Sequence, residues 1–80
     1  MKIPVIKKLV ESFSQDQLVA AEEAILNEAA PEIEVEGSDE GEQLTHVMAA
    51  QFILAEMASK GIDFTAALRL YTAKVRSSIS

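Results

Sequence analysis

The stretch 47–58, Val-Met-Ala-Ala-Gln-Phe-Ile-Leu-Ala-Glu-Met-Ala, decides the fold of this chain. Only Gln51 and Glu56 within it are clearly polar. A helix that is apolar almost all round is covered by other elements on several sides. We therefore predict that this stretch belongs to the central helix of the molecule, which ends near Lys60 with Gly61 as its C-terminal stop.

The residues just before this stretch predict where the central helix begins. Gly37 and Gly41 indicate a turn, because glycine adopts backbone conformations that other residues avoid. Asp39 is followed three residues later by Glu42, which is the spacing of an N-terminal cap. The third helix should therefore start close to Asp39.

Two further helices are predicted upstream. Pro4 suits the first position of a helix, and an apolar repeat at helical spacing then runs to Phe13. Ser14 and Gln17 have the spacing of a capping box and should open the second helix, which Pro31 ends by disfavouring a helical residue before it. The predicted buried faces are Ile6, Leu9, Val10 and Phe13 in the first helix, and Leu18, Ala21, Ile25 and Ala29, widened by Val19 and Leu26, in the second.

A fourth helix is predicted after Gly61. Ile62 and Asp63 supply a packing residue and an N-cap before it. We therefore expect an all-α fold, a single domain over residues 1–80 with four helices and a short acidic extended arm between helices two and three. The predicted buried stripe of the fourth helix is Phe64, Ala67, Leu68, Tyr71 and Val75.

The arm is the stretch Glu32–Glu36, in which glutamate alternates with Ile33 and Val35. An extended backbone would place the two apolar side chains on one face and the three carboxylates on the other. The stretch is thus either a short strand or a loop. The arm could also swap between subunits and pair with its symmetry mate through backbone hydrogen bonds.

The same carboxylates have the spacing of the first ligands of a calcium loop, with Gly37 at the position of the sharp turn. Glutamate stands where the motif takes the shorter aspartate or asparagine, and the twelfth position is Gln43, which cannot supply a bidentate carboxylate. We therefore interpret the alternating carboxylates as a solvated face.

Composition excludes several classes of function. The 80 residues carry 13 acids and 7 bases, for a net charge of -6, with no cysteine and 49% hydrophobic residues. This acidic balance argues against binding nucleic acid or an anionic membrane. The absence of cysteine fits a reducing compartment, and no apolar stretch is long enough for a membrane span, so we expect a cytoplasmic protein.

Charge is segregated along the chain. Residues 9–59 contain 12 acids and no base, whereas the two ends hold all 7 bases and one acid. Helices one and four should therefore be attracted to the acidic second helix and arm, within one chain or across a dimer. Each exposed pair would contribute about 0.2–1 kcal/mol.

No catalytic motif is present. Gly37, Gly41 and Gly61 match no nucleotide-binding fingerprint, and no serine or threonine has a recognisable base beside it. We expect neither an enzyme nor a cofactor.

His46 is the only histidine, and Glu42 lies four residues before it on the predicted helix. Two such residues could ligate a metal together, and a symmetric dimer could double them to four. These two residues are weak metal-ligand candidates. A histidine on the helix surface or at an interface is the favoured interpretation.

The opening heptapeptide Met1–Lys7, Met-Lys-Ile-Pro-Val-Ile-Lys, and the closing stretch 75–79, Val-Arg-Ser-Ser-Ile, resemble a family of short bacterial proteins of unknown function. The resemblance covers most of the chain and is specific mainly at the heptapeptide. It implies an all-helical, cytoplasmic bacterial protein, and it brings no catalytic or binding residue.

The favoured function is a non-enzymatic homo-oligomeric interaction module, with a dimer preferred, because 27 large apolar side chains are many for 80 residues. The alternatives are a small metal- or ligand-binding protein and an acidic docking surface for a basic partner protein. The interface candidates are Phe52, Ile53, Leu54, Met57, Leu70 and Tyr71, with Ile33 and Val35 of the arm. The acidic surface consists of Glu32, Glu34, Glu36, Asp39, Glu40 and Glu42.

Overall fold

The computed structural model describes residues 2–79, with side chains described up to Ser77. It contains four helices: α1 (Ile3–Ser12), α2 (Gln15–Leu26), α3 (Glu40–Lys60) and α4 (Phe64–Ile79). No strand occurs in this part of the chain. The predicted all-α fold of four helices is therefore confirmed.

The helices begin and end where the capping residues predict. Ser14 Oγ accepts a hydrogen bond from Gln17 N, and the Gln17 side chain accepts one from Ser14 N, which completes the capping box of α2. Asp63 caps α4 by accepting from the backbone N–H of Ala66. Gly61, with φ of 63°, ends α3 in the left-handed conformation that glycine adopts without steric cost.

The end of α2 is the boundary that the sequence placed least accurately. The helix stops at Leu26, well before Pro31. Ala29, Val19 and Leu26 are exposed, so their place on the predicted buried face is wrong. Proline disfavours a helical conformation in the residue directly before it, which sets an outer limit for the helix and not its actual end.

The actual end of α2 is a Schellman motif built without glycine. Glu28 has φ of 58° and donates its backbone N–H to Ile25 O at 3.1 Å. The next N–H, of Ala29, reaches back to Ala24 O at 2.8 Å. These two bonds satisfy carbonyl groups that the helix leaves open, and they turn the chain toward the segment that follows.

Helix α3 is the centre of the molecule, as predicted. The principal helix packings are α3 against α1, against α2 and against α4. On the α2 side two glutamines add polar contacts: Gln15 Nε2 donates to Gln51 O at 3.1 Å, and Gln51 Nε2 donates to Glu22 Oε1 at 2.9 Å. The buried apolar residues are Ile6, Leu9, Val10, Leu18, Ala21, Ile25, Val35, Val47, Ala49, Ala50, Ile53 and Ala67.

The predicted stripe of α4 faces α3, but it is covered less completely than the stripes of α1 and α2. Of its five residues only Ala67 is buried, while Phe64, Leu68, Tyr71 and Val75 are half-buried. No helix packs on the other side of α4 as closely as α3 does. Much of the apolar area in the C-terminal third of the chain therefore stays in contact with solvent.

The acidic segment, residues 32–36, alternates as predicted: Val35 is buried, Ile33 is half-buried and the three glutamates are exposed. It is a loop and not a strand, because side chains of α3, and no second strand, bind its backbone carbonyls. Val35 belongs to the core of its own chain. The prediction that this residue contributes to an intersubunit interface is wrong for this fold.

Candidate functional site

His46 is fully buried, and both of its ring nitrogens bind backbone groups. Nε2 lies 2.9 Å from Lys2 N, and Nδ1 lies 2.8 Å from Glu36 O. A backbone N–H can only donate, so Nε2 accepts; a carbonyl can only accept, so Nδ1 donates. His46 is therefore the neutral tautomer with its proton on Nδ1, and the expectation of a surface or interface histidine is wrong.

Two neighbouring side chains on α3 hold the same loop. Gln43 Nε2 donates to Val35 O at 2.9 Å, and Glu42 Oε1 accepts from Ser38 N at 3.0 Å. We call Glu42, Gln43 and His46 the loop clasp, because together they bind the backbone at residues 35–38. The clasp sits on the first two turns of α3, whose start Asp39 fixes by accepting from Glu42 N at 2.8 Å.

The hydrogen bond from Ser38 N is the main reason why the pKa of the Glu42 carboxyl lies below its ordinary value; the nearby positive charge of Lys2 acts in the same direction. The carboxylate form is thus the one that the loop stabilises. Glu42 acts here as an anionic acceptor at the N-terminal end of α3, where the helix dipole also favours negative charge.

Gly37 has a packing role within the clasp. A Cβ built on Gly37 would lie 2.8 Å from both Gln43 N and Gln43 Cγ. Both distances are shorter than a van der Waals contact between a carbon atom and either atom. The loop can approach the first turns of α3 only because residue 37 has no side chain.

Glu42 and His46 share one side of α3, and both bind backbone groups there. His46 keeps no free nitrogen lone pair, since the one on Nε2 is used by Lys2 N–H. Among residues 2–79, no group of three or more histidine, aspartate and glutamate side chains could hold a metal ion. The pair thus serves to bind the loop and the N-terminal segment to α3.

The predicted acidic surface is exposed but partly engaged. Glu32, Glu34 and Glu40 face solvent, whereas Glu36 pairs with Lys8 at 3.7 Å. Both partners of that pair are at least half exposed, so it contributes about 0.2–1 kcal/mol. This ion pair is the predicted attraction, in the case of α1, between the basic N-terminal end of the chain and its acidic middle.

The interface candidates differ in their burial. Ile53 is fully buried in its own chain, so its prediction as an interface residue is wrong. Leu70 is 38% exposed. The remaining candidates are half-buried and pack against the core: Ile33, Phe52, Leu54, Met57 and Tyr71.

Two of these half-buried candidates form an aromatic pair between α3 and α4. The rings of Phe52 and Tyr71 have centroids 5.6 Å apart and are tilted by 55°. Lys74 Nζ lies 4.9 Å from the Phe52 centroid, within the range of a cation–π interaction. The pair joins the C-terminal helix to the rest of the fold and leaves part of each ring accessible.

Sequence reasoning missed Gln43 and Glu28 as structural residues. In the sequence, Gln43 stands out only as the residue that breaks a calcium motif. In the structure, its side-chain amide donates to Val35 O within the loop clasp. Glu28 gave no local signal, because glycine or asparagine is the usual residue at its position.

None of the helices described here has both the length and the apolarity that crossing a membrane requires. No curated protein and no solved structure matches the chain. The profile of one protein family matches residues 1–80. The chain therefore belongs to a family of unknown function (DUF6952).

Proposed function

We propose that this protein is a non-enzymatic, homo-oligomeric interaction module of the bacterial cytoplasm, and that the oligomer is a dimer. The observation that carries the proposal is the position of the aromatic residues. Phe13, Phe52, Phe64 and Tyr71 are all half-buried, so none of the four lies in the buried core. Aromatic side chains bring the largest apolar area of any residue type, and they are enriched at protein interfaces.

The accessible surface points the same way. Five large apolar side chains are exposed in addition to the half-buried aromatics. These are Ile3, Val19, Leu26, Met48 and Leu70.

The proposed interface uses the accessible side of α3 and α4. It includes Leu70, Tyr71 and Phe52, with Leu54 and Met57 as further candidates. A second chain would complete the partial burial of these side chains. Dimerisation would then provide apolar burial that the C-terminal third of the chain lacks by itself.

Light scattering coupled to size-exclusion chromatography, at tens of micromolar protein, tests the proposal. Wild type should elute with twice the mass of the 8.7 kDa chain. Leu70→Glu should weaken the dimer at least about tenfold, because it would bury a charge at the interface. Ile3→Glu is the matched control, since Ile3 is 46% exposed and Leu70 38%, and Ile3 lies on α1.

A monomeric wild type at these concentrations would refute the homo-oligomer. A Leu70→Glu dimer as tight as that of Ile3→Glu would place the interface elsewhere. Circular dichroism of both variants confirms that the helices are retained.

A second candidate is an acidic docking surface for a basic partner protein. The observation that favours it is the exposure of Glu32, Glu34 and Glu40, none of which forms an ion pair with the described residues. A lysine-rich peptide should bind wild type in fluorescence titration and lose affinity when the three glutamates are replaced by glutamine. Binding that persists at high salt would contradict this electrostatic mode.

A further inference from the structure

The outward face of α2 combines exposed apolar side chains with acidic ones. Val19 is 38% exposed and Leu26 61% exposed, and they lie two helical turns apart on one side of the helix. Asp16, Ala20 and Glu23 are exposed beside them. The whole of α2 contains three acids and no base. This face therefore suits a partner that is apolar along its centre and basic at its edges.

The outward face of α4 has that chemistry. Leu70 is 38% exposed, and Arg69, Ala73 and Arg76 are exposed around it. Helix α4 contains three bases and no acid. Neither arginine forms an ion pair with the residues that the structure describes, so their charges are available for another molecule.

The two faces are not closely packed together within one chain, because the principal packing of α2 and of α4 is in each case against α3. Nor would either face suit a copy of itself. Two α4 faces in contact would oppose Arg69 and Arg76 to arginines, and two α2 faces would oppose carboxylates to carboxylates. Such like-charge juxtapositions are repulsive, whereas the unlike pairing is attractive.

A shallow groove beside α2 adds room for an incoming side chain. It has a volume of about 410 Å³ and lies between α2 and the loop that begins the acidic segment. Asp16 and Ala20, which belong to the outward face of α2, also line the groove. The remaining lining residues are Gln17, Ala21, Ala24, Ala30, Glu32 and Ile33.

We infer that a second copy of this chain covers the outward face of α2 with the outward face of its α4. The inference rests on the proposed homo-oligomer, shares Leu70 with the proposed α3–α4 interface, and adds α2 of the second copy as the surface that meets α4. In a two-fold dimer the contact occurs twice, since α4 of each chain packs on α2 of the other. Arg69 and Arg76 then face Asp16 and Glu23, while Leu70 packs near Val19 and the groove.

A charge-swap experiment tests this pairing. Variant A carries Arg69→Glu and Arg76→Glu, and variant B carries Asp16→Lys and Glu23→Lys. Each variant alone places like charges in both contacts, so its dimer should dissociate at least about tenfold more readily than wild type. Mixing A with B restores opposite charges in both contacts, so native mass spectrometry should show a 1:1 heterodimer.

The control variant carries Lys7→Glu and Lys8→Glu on α1, which changes the net charge as much as variant A does. It should dimerise like wild type. If wild type is a dimer and A and B alone stay as tight as the control, the α2–α4 pairing is refuted while the homo-oligomer stands. If A and B are monomeric and do not combine, the pairing is also refuted. A monomeric wild type refutes the proposed function itself.

Discussion

The ring of His46 accepts a hydrogen bond from the backbone N–H of Lys2, which lies 44 positions earlier in the sequence, at 2.9 Å. The other ring nitrogen donates to Glu36 O at 2.8 Å. One buried imidazole thus joins the start of α1, the acidic segment and the central helix.

Replacing His46 with alanine should lower the free energy of unfolding by about 2–4 kcal/mol, because it leaves a cavity and removes the partners of two backbone groups. Urea unfolding followed by circular dichroism measures the change. The exposed neighbour Thr45 provides the control, since Thr45→Ala should change stability by no more than about 0.5 kcal/mol. Equal stabilities for the two variants would contradict the structural role of His46.

Glu28→Gly should stabilise the protein by about 1 kcal/mol. A non-glycine residue in the left-handed region has its Cβ too close to a carbonyl oxygen, and Glu28 has φ of 58°. Glu23→Gly is the matched control inside α2, where glycine costs about 1 kcal/mol. Thermal unfolding should therefore shift in opposite directions for the two variants, and a shared direction would rule out the Schellman end.

Gly37→Ala should destabilise the fold by about 1–3 kcal/mol, since the new Cβ would lie 2.8 Å from Gln43 N. Gly41→Ala is the control, because Gly41 lies only four residues after Gly37, in the first turn of α3. Its Cβ would meet nothing closer than Asp39 Oδ1 at 3.4 Å, and alanine favours the helix there. Gly41→Ala should thus be neutral or stabilising, and an equal loss in both variants would contradict the close approach at Gly37.

The contribution of Glu42 to stability should depend on pH, present at neutral pH and lost in acid. The hydrogen bond from Ser38 lowers the pKa of its carboxyl below the ordinary value of 4.5. A group whose pKa is lower in the folded state stabilises the fold above its unfolded pKa, and this contribution is lost as the pH falls through the folded pKa. Glu42→Gln should therefore be less stable than wild type at neutral pH, and the difference should shrink below pH 4.5. A difference that stays constant from neutral pH to pH 3 would contradict the assignment.

The elements that local chemistry controls could be predicted from the sequence. Ser14, Asp39 and Asp63 cap helices because their short polar side chains bind backbone N–H groups nearby, and Gly61 ends a helix by its own conformational freedom. The central position of α3 could be predicted because its residues are apolar on almost all sides of the helix. Each of these signals lies within a few residues of its effect.

The loop clasp could not be predicted in this way. The partners of His46 are backbone groups 44 and 10 positions away, and backbone groups carry no sequence signature. Gln43 and Glu42 likewise bind backbone groups of the loop, at Val35 O and Ser38 N. The end of α2 could not be predicted because its left-handed residue is Glu28, and glutamate is not a residue that indicates this conformation.

Sedimentation equilibrium of the wild-type protein, over a concentration series that reaches tens of micromolar, tests the central claim most directly. A reversible association to twice the 8.7 kDa mass, weakened by salt, is the predicted result. A single 8.7 kDa species at every concentration would contradict the homo-oligomer and leave the half-buried aromatic residues facing solvent.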